Sequence, residues 1–474
     1  IEAANLHPNG AVPDEIHFAI PDAGVQTINV TAALPQITDP VVIDGYTQPG
    51  AAPNSLPSGS NAVLLIELDG SGAGPGVDGL ALRASDSAVR GMVVNRFSVS
   101  GISVAATGNV VTGNYVGTDP SGTQARPNGE DGIKVGDYGL PLQATNNTIG
   151  GTLPGDRNLL SGNARNGITI DTVDSTYLYG NLIGINAAGN AALPNNGSGV
   201  GIYRGGGNVV GGAAGGQGNV ISGNRDDGIG IADGLATLSH LIRGNLIGTD
   251  VTGTQVIANQ RYGILINENG VEVGGTAPGE GNRIAGNGQG GVVAQSGAQN
   301  RVVGNRIYGN GGLGIDLGRD GVDANDTGDG DNGANGRQNT PVLYGAVGGG
   351  STIVTGLFNS APNSAYTVDF YGSTQCSVGG FGQGEVYLGS TQATTDGFGN
   401  AAFGVTLAAA IPDGRFVTAT VTDGAGSTSE FSACMVAQPN NTSWDQALAL
   451  TLTGPSATLT GSASQYLDRT GQSR

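Results

Sequence analysis

The chain has 474 residues, 88 of them glycine, and a formal net charge of −19, with 5% aromatic and 12% charged residues. That acidity opposes condensation on nucleic acid or on an anionic bilayer, and no run approaches the roughly 18 apolar residues that span a membrane. Composition alone fits a low-complexity chain, but Val, Ile and Leu alternate between the glycines, so an apolar face exists to be buried.

Residues 1–78 hold short strand-like runs (DEIHFAI, VQTINV, PVVIDG, VLLIELDG) without a tight repeat. They read as an N-terminal cap and first coils, which a stacked fold needs because an open end is an unpaired sheet edge. From 79 to 318, Gly-Ile, Gly-Val or Gly-Leu returns at Gly79, Gly101, Gly132, Gly167, Gly199, Gly228, Gly263, Gly291 and Gly314, at intervals of 22 to 35 residues. Each opens a short run such as GIKV, GITI or GILI. Such strands, joined by Gly/Asn turns, cannot pair as hairpins at this spacing and must stack in parallel on the coil before. At about 4.8 Å per coil the repeats make a cylinder roughly 40 Å long.

The coils alternate in type. GNYVGTDPSGTQARPNGEDGI, GNLIGINAAGNAALPNNGSGV and GNLIGTDVTGTQVIANQRYGI place the next Gly-Ile or Gly-Val 19 residues after Gly-Asn, whereas SGNARNGI, SGNRDDGI and AGNGQGGV need 5. The difference of 14 reads as a loop inserted in every second coil, projecting as a row on one side. The Gly-Asn asparagines (Asn114, Asn163, Asn181, Asn224, Asn245, Asn287, Asn305) are expected in ladders, their amides bonding one another and the turns.

The segments IEAANLHPNG, LPQITDPVVIDGYTQPG and IELDGSG, with the GNLIGTDVTGT, NTIGG and RNLLSGN repeats, resemble the CSLREA-type group of bacterial secreted and surface proteins. The resemblance covers nearly the whole chain and implies an all-β fold: a right-handed parallel β-helix, exported, with no assigned reaction. The chain starts inside that group's opening motif, as expected of a processed or trimmed fragment.

Aligning coils on Gly-Ile gives columns. Two residues before the glycine stand Glu130, Arg165, Gly197, Asp226 and Arg261, an expected surface ion-pair ladder. Immediately before it stand Asp131, Asn166, Ser198, Asp227 and Tyr262, and outward positions after it are Lys134, Thr169, Asp171 and Tyr203. With Arg204 and Arg225 these form a long polar strip suited to a sugar polymer, aromatic rings stacking on pyranose faces and Asp, Asn and Arg matching hydroxyls. Lys134, Tyr203, Arg204, Arg225 and Tyr262 are the candidate substrate-binding residues. Glycoside cleavage needs two carboxyls flanking one bond, about 5 to 5.5 Å apart for retention or about 6.5 to 9.5 Å for inversion, and Asp227 with Asp226 or Asp171 is the best set.

The RDDGI run resembles the paired aspartates of β-helix pectin hydrolases, although the histidine motif of that group is not recognisable and His240 stands in LSHLIRGN. Turn capping is the competing role for such aspartates. A lyase would need a base and a cation beside a uronate carboxylate; Lys134, Arg204, Arg225 and Arg243 are available and none is singled out. A catalytic strip should break the repeat locally, whereas a spacer should keep it uniform, and Asp226-Asp227 departs from its siblings Arg165-Asn166 and Gln289-Gly290.

Between the repeats and the following strands, 319–340 form an acidic linker in which Asp323, Asn325, Asp326, Asp329, Asp331 and Asn335 crowd oxygen donors, with Gly328 and Gly330 permitting tight bends. The composition is that of a structural Ca²⁺ site and resembles thrombospondin-type and dockerin loops, with Thr327 where a carboxylate is usual; a plain acidic linker is the alternative. From 341 to 437, runs such as STIVTGLF, AYTVDFYG and RFVTATVTD predict a small antiparallel β-sandwich. Cys376 and Cys434, in an otherwise cysteine-free chain, fit a disulfide of an exported protein, the alternative being two buried thiols. Residues 438–474 read as a linker and the start of a further domain. The whole is expected to be a monomeric secreted or cell-surface protein that engages a polysaccharide, as a hydrolase or lyase or as a noncatalytic adhesin or spacer.

Overall fold

Alternation of apolar and polar residues between the Gly/Asn turns sends successive residues of each short strand to opposite sides, apolar ones inward, and the parallel stacking of such strands builds three sheets. In the computed structural model, which describes residues 1–7, 9, 12–136, 144–232, 238–377 and 379–440, face 1 has ten strands from Asp14–His17 to Arg301–Val303, face 2 ten from Gln26–Asn29 to Arg306–Tyr308, and face 3 nine from Leu80–Leu82 to Ile315–Leu317. All are parallel, and the chain visits the faces in the order 1, 2, 3: this is a β-helix. The nine Gly-Ile, Gly-Val and Gly-Leu dipeptides open the nine strands of face 3.

Residues distant along the chain become vertical neighbours. Ile133 pairs with Ile168, Ile168 with Val200 and Val200 with Ile229, and all four are 0% exposed. Each such side chain contributes about 1.5–3 kcal/mol by leaving water.

Corners are held by amides. Between faces 1 and 2, Asn114, Asn158, Asn181, Asn219, Asn245, Asn282 and Asn305 form one ladder, each side chain donating to the next at 2.9–3.3 Å. Between faces 2 and 3, Asn128, Asn163, Asn195, Asn224, Asn259, Asn287 and Asn310 form another. The Gly-Asn residues of the two coil types therefore sit at different corners, and this corrects the reading of their spacing. The long corner between faces 2 and 3 has sixteen residues (117–132) against seven (161–167) in the other coil type, so the insertion is shorter than 14. The long loops do not project. Ala187 N–H bonds Gly122 O and Val251 N–H bonds Gly189 O, and the row lies over the outer side of face 2, burying Val93, Tyr115, Leu159, Leu182 and Val220 with Ile185 and Ile257.

At the far end, two antiparallel sheets of three and four strands enclose a core with Phe358, Phe370, Phe403 and Val421, and Cys376 and Cys434 are disulfide-bonded. This sandwich, with the linker before it, seats directly on the last coil. Gln383 Oε1 accepts from Asn310, extending the second ladder; Asn335 Oδ1 accepts from Asn300 N–H, Thr428 Oγ1 from Val302 N–H, and Glu430 Oε1 from Leu317 N–H. At the opposite end the helix Glu2–Leu6 is tied to the first coil through Asn5. Residues 441–474, the expected start of a further domain, lie outside the described residues. Among the described residues no helix is long and apolar enough to cross a membrane.

Candidate functional site

The outward column at the middle of face 3 runs Ala81, Ser103, Lys134, Thr169, Gly201, Gly230, Leu265, Val293 and Asp316. The row of side chains stops at two consecutive glycines, and neither has a positive φ that would demand glycine. At Gly201 the missing side chain makes room for Tyr203, whose ring folds back over its own strand: a Cβ there would lie 2.8 Å from Tyr203 Cε2 and 2.9 Å from its hydroxyl. At Gly230 the space is open. A Cβ there would meet only Ser198 Oγ at 3.6 Å and Asp227 Oδ2 at 3.9 Å. The result is a hollow on an otherwise continuous face, bounded by the Tyr203 ring, the Ser198 hydroxyl, the Asp227 carboxyl and, one coil on, Leu265.

Asp227 belongs to the column that precedes each glycine, and that column caps the next coil. Asp131 Oδ1 accepts from Asn166 N–H, Asn166 Oδ1 from Ser198 N–H, and Asp227 Oδ1 from Tyr262 N–H at 3.1 Å. One oxygen of Asp227 is thus structural and the other faces the hollow. The residue is 3% exposed. Burial raises its carboxyl to about 6, helped by neighbouring Asp226 and opposed by the Tyr262 N–H, Arg261 and Arg319. Arg261 ion-pairs with Asp226 and places Nη1 3.8 Å from Asp227 Oδ2, so two carboxyls share one guanidinium. The pairing of Arg261 with Asp226 follows the expected column; Arg165 instead lies 3.7 Å from Asp131, not against Glu130.

The other expected site residues separate from this hollow. Asp171 is in register with Tyr203 and Ala232, five residues further along than Asp227 and two coils away, which is about 16 Å along the strand and about 10 Å along the axis. It cannot flank one glycosidic bond with Asp227, and both its oxygens accept from Arg204 Nη2 at 2.6 and 2.8 Å. Arg204 is correspondingly neutralised. Tyr262 is not a stacking platform: it is 7% exposed, its ring enclosed by the guanidiniums of Arg261 and Arg319, each 5.2 Å from the ring centroid. Lys134 lies on the same outward column three coils from Gly230, about 14 Å away. Arg225 is exposed beside Asp226. His240 is buried at the corner between faces 3 and 1, where its Nδ1 accepts from Asn208 N–H and its Nε2 is 2.9 Å from Glu268.

Of the expected metal ligands, Asp326, Asp329 and Asp331 bring ligand atoms within 4.8 Å of one another, and Asp331 Oδ1 is buried with no hydrogen-bond partner. Asp323 turns away to Arg337, Asn325 is occupied by the backbone of Thr340, and Asn335 caps the last coil. Ser360 donates to Asp329, tying the trio to the sandwich.

No protein family and no curated protein matches this chain. Among solved structures it is similar to the A-module of the mannuronan C-5 epimerase AlgE4 of Azotobacter vinelandii, at 14% identity over 57% of this chain and 62% of that one, TM-score 0.26. It is also similar to tailspike protein 2 of an Escherichia coli O157:H7 bacteriophage, at 11% over 84% and 61%, TM-score 0.34. A third is tailspike gp49 of the Acinetobacter baumannii bacteriophage Fri1, a capsular polysaccharide depolymerase, at 10% over 86% and 80%, TM-score 0.24. The chain spans about three fifths of the length of the first two. At these scores the likenesses carry no weight for chemistry, which rests on the site itself.

Proposed function

We propose that this is an extracellular β-helix protein that takes up a polysaccharide along face 3 and hydrolyses it at the hollow over Gly230. What supports this is one observation: the side-chain row is interrupted where the raised carboxyl of Asp227 directs the oxygen that Tyr262 N–H does not bond toward the open space over Gly230, beside the Tyr203 ring. Protonated Asp227 gives its proton to the glycosidic oxygen as the bond to the anomeric carbon breaks. Asp226 shares the Arg261 guanidinium with Asp227 and so stands too near it for a water to be activated between them. It bonds the anomeric carbon as the glycosidic bond breaks, and water, giving its proton to Asp227, then displaces Asp226 to release the sugar. The Tyr203 ring supports a pyranose, and the Ser198 hydroxyl, which bonds no described residue, is placed to meet a sugar hydroxyl. Kinship with the CSLREA-type group and export from the cell belong to the same proposal, the disulfide agreeing with an oxidising compartment.

A polysaccharide panel read for new reducing ends and for absorbance of unsaturated products tests it. Wild type should release reducing ends without unsaturated product, and Asp227→Asn should lower the rate at least a hundredfold while still binding the polymer. Unsaturated product would point to a lyase. Binding without any product would favour an adhesin or spacer.

We also propose that Asp326, Asp329 and Asp331 hold a structural Ca²⁺ at the junction, a donor set of carboxylates that suits a hard cation, in which the Asp331 oxygen without a side-chain partner is available to coordinate. Calcium at a hundredfold excess over its dissociation constant should add about 2.7 kcal/mol to stability. Chelator should lower the melting temperature of wild type and leave Asp331→Asn unchanged; equal responses would refute the site.

A further inference from the structure

Building on the proposal that face 3 takes up a polysaccharide, we infer that Arg319 binds an anionic substituent of that polymer, a carboxylate or a sulfate, and so selects acidic over neutral chains. Other oriented arginines are already matched to acids: Arg261 beside the hollow to Asp226, Arg204 further along the strand to Asp171, and Arg337 of the linker to Asp320 and Asp323. Arg225 lacks an acid as well, but no described side-chain contact orients it.

Arg319 is different. It follows the last face-3 strand and reaches back over the face, donating from Nε to the Tyr262 hydroxyl at 2.7 Å and from Nη1 to Gln295 Oε1 at 3.3 Å, with its guanidinium stacked on the Tyr262 ring. These contacts are all to neutral groups, and no carboxylate among the described residues is within ion-pair distance of it. The side chain remains exposed. Its backbone holds φ at 64°, a conformation that a non-glycine residue adopts only at some cost in energy. A full positive charge is therefore fixed in position, with Nη2 left without a partner, over Tyr262, which follows Asp227 in the same column one coil on. The buried Tyr262, unsuited to touch sugar, gains a purpose here as the support that aims the guanidinium.

A planar guanidinium with free N–H groups matches a carboxylate or sulfate in a way that a neutral hydroxyl does not. In a chain of net charge −19 the long-range field repels a polyanion, so a fixed local cation is what would admit an acidic sugar at this place.

The test is binding of the whole protein to a polyuronate, to the same polymer after reduction of its carboxyls to alcohols, and to a sulfated galactan. Wild type should prefer one of the charged polymers over the reduced one, and which one distinguishes carboxylate from sulfate recognition. Arg319→Gln should lower that preference about tenfold or more, with Arg319→Lys recovering part of it and the melting temperatures unchanged. Equal binding of charged and reduced polymers by wild type, or an unaltered preference in Arg319→Gln, would overturn the role of Arg319 while leaving polysaccharide uptake standing. Failure to bind these three and neutral glucans alike would overturn the polysaccharide reading as well.

Discussion

Asp227 holds two tasks on one carboxyl, Oδ1 fixing the backbone of the next coil and Oδ2 facing the hollow. Asparagine keeps the first task and removes the second, whereas alanine removes both. Asp227→Asn should therefore melt near wild type, and Asp227→Ala should lose on the order of 1–3 kcal/mol through the unpaired Tyr262 N–H. The raised carboxyl also sets a pH dependence. Its value in the folded chain, about 6, exceeds that of an unfolded aspartate, about 3.9, so its contribution to stability is complete below pH 4 and lost as pH rises through 6. Catalysis needs the same protonated form. The rate should fall about tenfold per pH unit above 6, and a flat profile between pH 6 and 8 would exclude Asp227 as the acid.

The ladders are the element-scale counterpart. Asn219 accepts from Asn181 N–H and Nδ2 and donates to Leu178 O and Asn245 Oδ1, in a setting with no exposure. Replacing it by alanine strands several buried polar groups at once, each costing about 1–3 kcal/mol. Asn219→Ala should lower stability by 3 kcal/mol or more in denaturant titration, whereas Asn190→Ala, in an exposed loop, should change it little. The strands, their parallel stacking and the presence of ladders were legible because one residue type recurs at each. That there are two ladders at two corners was not legible: Gly-Asn looks identical at both, and only the register separates Asn163, Asn224 and Asn287 from Asn114, Asn181, Asn245 and Asn305. The loops that lie over face 2 were misread as projections because their apolar residues, Ile185 and Ile257, are sparse among polar ones.

At the scale of the molecule, the sandwich and the linker before it are the lid of the cylinder, since Gln383, Thr428 and Glu430 of the sandwich and Asn335 of the linker each satisfy a polar group that the last coil leaves open. The candidate site is likewise a property of stacking. The carboxylates Asp226 and Asp227 were visible as a departure from the repeat and Tyr203 as an outward position, but Gly201 and Gly230 are two glycines among 88 and become a hollow only when register sets them side by side. Arg319 reaches Tyr262 across 57 residues of chain, with no local pattern to mark it. Asp171 was wrongly joined to the set because outward position alone does not give distance along the strand.

Filling the hollow is the most direct test. Gly230 has ordinary backbone angles and room for a side chain, and leucine there would repeat what Leu265 does on the next coil. Gly230→Leu should fold and melt like wild type yet lose polysaccharide binding and hydrolysis. Undiminished binding and turnover with leucine in that place would contradict the assignment of face 3 as the site.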